Sequence, residues 1–342
     1  MEGSINSLKT NLISFLNIFS GYIPLKCLIK CTGQKIFSPF YHIISDNAPI
    51  HVKHIYPIRT SNLFIKDIEY LQKHFEFIDL NTFIDLSAKK KLDKRYCFLS
   101  FDDGLSEFYN LIAPILKQKG IPAHIFLNSA FVDNKDLMFR YKVSILYEAY
   151  LNSNFKSKID EILQKQIDSN TDTKNRFLEL KYHNIDIINE IAETLEIDFN
   201  EYLKTNKPYL TTEQINELKN DGFTFGAHSI DHPEYRYINI EEQINQTKQS
   251  LEFVQKEFNP KYKSFAFPFT DFDVTLELFN KLKEQKIVDY TFGGAGLKKE
   301  KIISQFQRFP MEGNLLKAKK LINTEYLYYL IKMPFGKNII KR

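Results

Sequence analysis

The stretch Phe98-Leu99-Ser100-Phe101-Asp102-Asp103-Gly104 decides the fold predicted for this chain. The apolar run over residues 96–101 predicts a buried strand, which stops at two carboxylates and a glycine. Adjacent acids at a strand end, followed by a residue that permits a tight turn, can direct charge into a cleft. Asp-Gly pairs are also common in surface turns, so the stretch alone leaves both interpretations open.

Two histidines far downstream favour the cleft. The segment His228-Ser229-Ile230-Asp231-His232 follows a predicted strand, and a His-x3-His spacing lets two imidazoles reach one cation. A hydrogen-bonded surface pair is the alternative. One carboxylate and two histidines would supply three protein ligands and leave positions for water and substrate, with the spare carboxylate available as general base. Spacing does not say which aspartate takes which role.

Composition predicts an ordinary globular protein. The chain has 342 residues, of which 43% are hydrophobic and 26% charged, with a net charge of +4. Its lysines are spread along the chain and indicate solvated faces, with an acidic glycan or a lipid headgroup surface as the less favoured interpretation. Cys27, Cys31 and Cys97 cannot all pair within one chain, and no second Cys or His pair follows Cys27 and Cys31 closely enough to predict a zinc site. A reducing compartment fits best.

The start of the chain shows helical spacing of apolar residues between Leu8 and Ile23. This predicts a helix packed on the domain, and a helix lying on a membrane surface is the alternative. We see neither the pattern of a signal peptide nor an apolar run of about 18 residues, so we expect no spanning helix. We therefore expect a cytoplasmic protein, with a peripheral contact at the inner membrane as a further expectation.

Strand and helix patterns alternate along the chain, which predicts a parallel α/β architecture. Residues 134–207 break the rhythm, contain no proline or glycine, and predict a helical insertion that either shapes substrate access or is a packed surface element. We divide the chain into an N-terminal helical segment (1–35), a barrel (36–320) that contains this insertion, and a basic aromatic tail (321–342). For the tail we predict a helix and then a mobile end.

Three motifs, in order along the chain, carry a family resemblance. Ser100-Phe101-Asp102-Asp103-Gly104, His228-Ser229-x-x-His232 and Phe265-Ala266-Phe267-Pro268-Phe269 resemble the motifs of polysaccharide deacetylases with the NodB homology domain, carbohydrate esterase family 4. The resemblance covers roughly residues 36–130 and 208–312. It implies a distorted (β/α)7-type barrel and a divalent metal, usually zinc (Zn2+).

The same resemblance implies roles for individual residues. Asp102 would be the general base, and Asp103, His228 and His232 would be the metal ligands. The backbone at Phe269, directly after Pro268, would help to stabilise the tetrahedral oxyanion.

The sequence departs from the family pattern in two places. The third motif usually carries an arginine and often ends in Tyr-Gly, whereas this chain has Lys263 and ends in Phe269-Thr270. The family usually supplies its general acid from a late Leu-x-His motif, and no histidine follows His232.

His42 is our candidate for the missing acid, because some relatives have a similar Tyr-His at the first strand. A hydrogen-bonded core histidine is the alternative interpretation of His42. Asp102 is the alternative proton donor, since it could deliver to the leaving amine the proton that it took from water.

Two further residues have competing interpretations. Arg308-Phe309-Pro310-Met311-Glu312 resembles a late motif of a bacterial subgroup of these deacetylases. Arg308 could orient Asp102 or bind substrate, and a structural ion pair is the alternative. His124, in the middle of a predicted strand, is expected in the core or behind the ligands rather than among them.

The sequence therefore predicts removal of an N-acetyl group from an amino sugar of a polysaccharide or a glycan precursor. A deformylase or another small-amide hydrolase would use the same site. A carbohydrate-binding protein that has lost its chemistry is the alternative from another class, motivated by the missing late histidine and the altered third motif. We expect an N-acetylated glycan or a lipid-linked sugar as partner, and no nucleic acid.

Overall fold

A parallel sheet curls into a barrel at the centre of the molecule. The structure is a computed structural model that describes residues 2–166, 171–312 and 315–342. Within these ranges the strands are β1 (Ile36–Phe37), β2 (Pro39–Tyr41), β3 (Glu76–Phe77), β4 (Tyr96–Cys97), β5 (Ser100–Phe101), β6 (His124–Leu127), β7 (Thr224–Ala227), β8 (Ser264–Ala266), β9 (Tyr290–Gly293), β10 (Gln305–Gln307) and β11 (Phe309–Pro310).

Helices surround this sheet. They are α1 (Glu2–Ser20), α2 (Leu25–Thr32), α3 (Ile50–Lys53), α4 (Ser61–His74), α5 (Leu80–Ser87), α6 (Ala113–Gln118), α7 (Phe139–Leu151), α8 (Lys156–Gln166), α9 (Thr173–Glu179), α10 (Ile185–Thr194), α11 (Phe199–Asn206), α12 (Thr212–Asn220), α13 (Ile240–Phe258), α14 (Leu276–Glu284) and α15 (Ala318–Lys332). A π-helical turn, Phe108–Ile112, leads directly into α6.

The larger sheet closes on itself at Arg308. Its strand order is β10-β9-β8-β7-β6-β5-β2-β11, and every pair is parallel. The two edge strands belong to one segment, 305–310, which pairs with β9 before Arg308 and with β2 after it. The backbone N–H of Arg308 donates to the Gly293 carbonyl (3.1 Å), and that of Phe309 donates to the Ser38 carbonyl (2.8 Å). The six inner strands and this shared segment form a barrel of seven strands. The predicted distorted (β/α)7 architecture is therefore confirmed.

The strand predicted over residues 96–101 is in fact two strands in two sheets. β4 lies between β1 and β3 in a small parallel sheet, whereas β5 belongs to the barrel. The N–H of Phe98 still donates to the Phe37 carbonyl, but the Leu99 carbonyl accepts from the N–H of His124 on β6. The chain thus changes hydrogen-bonding partners over two buried residues, which an apolar run cannot reveal.

Large aromatic side chains form a buried cluster at the barrel. Phe83 of α5 stacks on Phe98 with ring centroids 4.4 Å apart. His124 is also buried and hydrogen-bonds Ser264 Oγ through Nε2 (2.9 Å), so it is a core residue, as predicted. A Cβ on Gly226 would lie 2.4 Å from Ser264 Oγ and 2.8 Å from His124 Nε2, so only glycine fits between these strands.

The insertion between β6 and β7 is helical, as predicted. Helices α7 to α11 enclose an apolar core of their own, which includes Leu146, Ile159, Leu163, Phe177, Ile188 and Ile191. Tyr209 and Leu105 belong to the same cluster and connect it to the barrel mouth. The insertion therefore rests on the carboxyl ends of the strands rather than projecting away from them.

The prediction that the chain ends in a mobile segment is wrong. Helix α15 buries Tyr326 and Tyr329 completely in the main core. Beyond this helix the Ile340 N–H donates to the Lys299 carbonyl (2.9 Å). The guanidinium of Arg342 donates to Asp271 and to Glu300 Oε2 (2.7 Å), and these ion pairs with buried carboxylates fix the end of the chain.

Helices α1 and α2 pack against α15, as the preferred interpretation of the apolar spacing predicts. Across the described ranges, no helix combines the length and the apolar character needed to cross a bilayer.

Candidate active site

The predicted site residues lie at or beyond the carboxyl ends of barrel strands, and Arg308 stands between β10 and β11. Asp102 and Asp103 follow β5, His228 follows β7, and Phe269 lies three residues beyond β8. Because the strands are parallel, these ends open on the same face of the barrel, which is the face where barrel enzymes place their active sites.

Asp103, His228 and His232 form a buried cluster with metal-site geometry. Asp103 Oδ1 lies 3.2 Å from His232 Nε2 and 3.5 Å from His228 Nε2, and the three possible ligand atoms lie within 4.8 Å of one another. A tetrahedral zinc ion with bonds of about 2.0–2.1 Å separates its ligand atoms by about 3.4 Å. Asp103 Oδ1 is buried and accepts no hydrogen bond, so an acceptor already aims at the place where a cation would sit. These residues fit a divalent metal.

The surroundings keep the His228 imidazole ready as a ligand. His228 Nδ1 contacts the Ala266 carbonyl (2.8 Å), so Nδ1–H donates there and Nε2 is left with its lone pair. Burial, as the largest effect, lowers the pKa of His228 to about 4, which keeps the ring neutral. The backbone N–H of His232 donates to Ser229 Oγ (3.0 Å), which closes the turn that carries both histidines.

The insertion holds the ligand segments in place, which the sequence analysis did not foresee. The Tyr141 hydroxyl donates to Asp103 Oδ2 (2.9 Å). The Tyr182 hydroxyl donates to Asp231 Oδ2 (2.6 Å), inside the His-x3-His turn. Both tyrosines lie in 134–207, and no spacing in the sequence links them to the aspartates. The insertion thus contacts the site residues directly, a role that neither interpretation of it included.

We expect Tyr141→Phe to weaken metal binding about 10- to 100-fold, because groups that hold a ligand from behind usually contribute that much to metal affinity. The substitution removes one hydroxyl, and with it the hydrogen bond to Asp103 Oδ2. Competition with a chromogenic chelator measures the affinity. Tyr150→Phe is the matched control, since the Tyr150 hydroxyl bonds Asp160 within the insertion. Equal affinities of Tyr141→Phe and the unmodified chain would contradict a positioning role for this tyrosine.

Arg308 binds the Asp102 carboxylate through both Nη atoms of its guanidinium. Nη1 donates to Asp102 Oδ1 (2.7 Å) and Nη2 to Oδ2 (2.9 Å), while Nη1 also donates to Ser100 Oγ (3.0 Å). Both side chains are buried. Burial alone would raise the pKa of Asp102, but the charge and the hydrogen bonds of Arg308, together with smaller effects of neighbouring groups, lower the pKa. Asp102 is therefore an ionised carboxylate of fixed orientation, and Arg308 orients it.

His42 is paired with Glu312, a residue that the sequence analysis quoted but gave no role. Glu312 Oε1 accepts from the backbone N–H groups of His42 and Ile43, both at 2.9 Å, and Oε2 lies 2.5 Å from His42 Nδ1. Burial of the imidazole would lower its pKa, but the charge and hydrogen bond of Glu312, together with the charges of Asp103 and Asp102, raise the pKa of His42 to about 9. His42 is thus hydrogen-bonded, as its alternative interpretation states, although its side chain is partly exposed rather than in the core.

The third motif forms a tight turn beside the histidines. Phe269 has a left-handed backbone (φ 56°), and the Thr270 N–H donates to the Pro268 carbonyl (2.6 Å). The Phe269 ring lies edge-on to His232, with centroids 4.5 Å apart. Lys263 lies before β8, at the opposite end of the strand, and its ammonium donates to the Lys286 carbonyl. The substituted lysine therefore takes no part in the site.

Comparisons with known proteins identify a family and support the fold. The family described as "Polysaccharide deacetylase" matches residues 89–287. The Streptococcus pyogenes deacetylase PplD, solved in complex with acetate, is similar with 17% identity and a TM-score of 0.54, over 85% of this chain and 98% of PplD. IcaB from Ammonifex degensii is similar with 14% identity and a TM-score of 0.54, over 86% of this chain and 97% of IcaB. No curated protein matches the sequence. At these identities the two solved structures support the fold.

Proposed function

Since the chain belongs to the polysaccharide deacetylase family and is a hydrolase of the N-deacetylase type, we propose that it removes an N-acetyl group from an amino sugar of a polysaccharide or glycan precursor. We further propose that the reaction depends on a divalent metal. The observation that carries both proposals is the buried group of Asp103, His228 and His232, with the clamped carboxylate of Asp102 adjacent to it in sequence.

The proposed metal is zinc, held by Asp103, His228 and His232. Two imidazoles and one carboxylate are a donor set that suits zinc, and three protein ligands are typical of catalytic zinc sites. When bound, such an ion lowers the pKa of water and polarises a carbonyl oxygen.

Asp102 is the proposed general base. Its carboxylate is ionised at neutral pH and cannot rotate away while Arg308 holds both oxygens. It can accept a proton as water attacks the acetamide carbonyl carbon. The backbone N–H of Phe269 is the proposed donor to the oxygen that gains negative charge.

His42 is the proposed general acid. When the carbon–nitrogen bond breaks, the nitrogen takes the electron pair and needs one proton, while the carbonyl carbon leaves as acetate. His42 carries that proton at neutral pH, since Glu312 holds its pKa at about 9. Glu312 also fixes the backbone beside the ring, so the donor keeps its place.

Metal content and acetate release, measured on the same preparation, test this proposal. We expect protein purified without chelator to carry close to one zinc per chain and to release acetate from N-acetylated glucosamine oligomers or from a lipid-linked N-acetyl sugar. A chelator should abolish release and zinc should restore it. Formate release from N-formyl sugars, without acetate release, would replace the proposal by deformylation. Absence of both metal and hydrolysis would leave a carbohydrate-binding protein instead.

We also propose that the substrate is a precursor processed in the cytoplasm, with a lipid-linked sugar as one form of it. The free thiols of Cys27, Cys31 and Cys97 support a reducing compartment. Cell fractionation that places the protein outside the cytoplasmic and inner-membrane fractions would overturn this proposal.

A further inference from the structure

The second half of helix α1 has one face fixed to the protein. Leu16 and Ser20 are buried against α15. The amide of Asn323 donates to the Ser20 carbonyl (2.7 Å), and the Thr324 hydroxyl donates to Asn17 Oδ1 (2.7 Å). These bonds fix the rotation of the helix about its axis, so its opposite face is held toward solvent.

That outward face is apolar. Phe15, Ile18, Phe19 and Tyr22 are exposed to 57%, 61%, 50% and 86% of their surface, and the Phe15 and Phe19 rings lie against each other with centroids 5.2 Å apart. We call these four residues the apolar strip. A surface helix normally turns its apolar side chains to the core and its polar ones to water. Here large apolar side chains face away from the core, and exposed clusters of this kind mark contact sites.

The segment around the apolar strip is basic. Residues 3–45 contain four lysines and no aspartate, glutamate or arginine. Lys26 and Lys30 are exposed on α2, whose buried side chains pack inward as those of α1 do. On the other flank Lys320 reaches Gly21, beside Tyr22, with its Cε 4.0 Å from the position of a Cβ on that glycine.

A groove of about 790 Å³ extends the positive surface from α2 toward α4 and β4. Its lining includes Lys26, Lys30, Lys73 and Arg95. Lys35 and Lys94 complete the basic side chains of the lining, against the two acids Glu76 and Asp93. The groove therefore presents more positive than negative charge next to α2.

We propose that the apolar strip and these basic residues dock the enzyme on a membrane that contains anionic lipids. Aromatic and aliphatic side chains enter the interfacial layer, while lysines attract the lipid phosphates. A second copy of the chain would bring the same positive charges together, which disfavours self-association. Four side chains, three on α1 and Tyr22 just beyond it, are also far fewer than the 20 or so residues per side of a stable protein interface. This docking surface is separate from the active site.

Vesicle co-sedimentation of the full chain tests the proposal. We expect binding to vesicles of phosphatidylcholine and phosphatidylglycerol, weak binding to phosphatidylcholine alone, and release at high salt. Lys26→Glu/Lys30→Glu should lower the apparent affinity at least tenfold, and Phe19→Ser/Tyr22→Ser should do the same. Lys90→Glu/Lys91→Glu is the charge-matched control, since each pair of reversals takes the net charge from +4 to 0. Ile303→Ser, at an exposed residue elsewhere, is the control for the apolar strip.

Acetate release from a soluble substrate is measured in parallel and should stay unchanged in all four variants. A loss of membrane binding is thereby distinguished from a loss of catalysis. Equal binding of the paired variants and their controls would overturn the proposal. So would the absence of binding to anionic vesicles. Concentration-dependent self-association that disappears in Phe19→Ser/Tyr22→Ser would assign the apolar strip to a second copy instead.

Discussion

Asp102→Asn should lower the rate of deacetylation by about 10²- to 10⁴-fold while leaving metal affinity close to that of the unmodified chain. The amide keeps the shape of the side chain and an oxygen for Arg308, but it cannot accept a proton from water at neutral pH. Asp103 and the two histidines are unchanged, so the metal site stays complete. The measurement is acetate release under saturating substrate, together with zinc content of the same sample.

Asp103→Ala is the informative partner of this variant. It removes the acceptor at the centre of the cluster, so both zinc content and turnover should fall to background. Because Asp102→Asn also disturbs a buried ion pair, thermal unfolding of each variant is recorded, and Arg308→Lys serves as a second probe. Lysine keeps one charge but not the two-armed contact, so it should lower turnover with little loss of zinc. Full turnover in Asp102→Asn would exclude this residue as the base.

The parts of the site that sequence could predict are those fixed by local pattern. Asp102 and His228 stand directly after apolar runs, with Asp103 next to Asp102, and parallel strands bring such positions to one end of a barrel. The assignment of Asp102 as general base and Asp103 as metal ligand came from the family resemblance alone. In the structure Asp103 lies against the histidines, whereas Asp102 is paired with Arg308, and the two roles stay a proposal.

The parts that sequence could not predict depend on contacts between distant segments. Tyr141 reaches Asp103 from the insertion, and Glu312 reaches His42 across 270 positions. Neither contact leaves a periodic or spaced signal. The mobile end was predicted from composition, whereas Arg342 is held by Asp271, 71 positions earlier. Closure of the barrel at Arg308 is equally invisible in sequence, because it depends on one short segment that pairs with two different strands.

The pair of His42 and Glu312 gives the site a defined response to pH. His42 acts as an acid only while protonated, and its pKa of about 9 lies above the ordinary value of about 6.5. Activity should therefore persist through neutral pH and fall as the pH rises through about 9. Glu312→Gln removes the charge that raises this pKa but keeps an amide oxygen for the N–H groups of His42 and Ile43. Burial is then opposed only by the charges of Asp102 and Asp103, so the pKa falls and the basic limb of the pH profile should move to lower pH.

The pH profile of acetate release, for the unmodified chain and three variants, decides whether His42 is the acid. His42→Gln should lower the maximal rate about 10²- to 10⁴-fold and remove the basic limb that His42 produces. Glu148→Gln is the matched control: it breaks a second His–Glu pair, His54 Nε2 to Glu148 Oε2 at 2.5 Å, and should leave the limb in place. A basic limb that stays near pH 9 in Glu312→Gln would mean that another group donates the proton. Asp102, which has just taken a proton from water, would then serve as both base and acid, and turnover in His42→Gln would stay close to that of the unmodified chain.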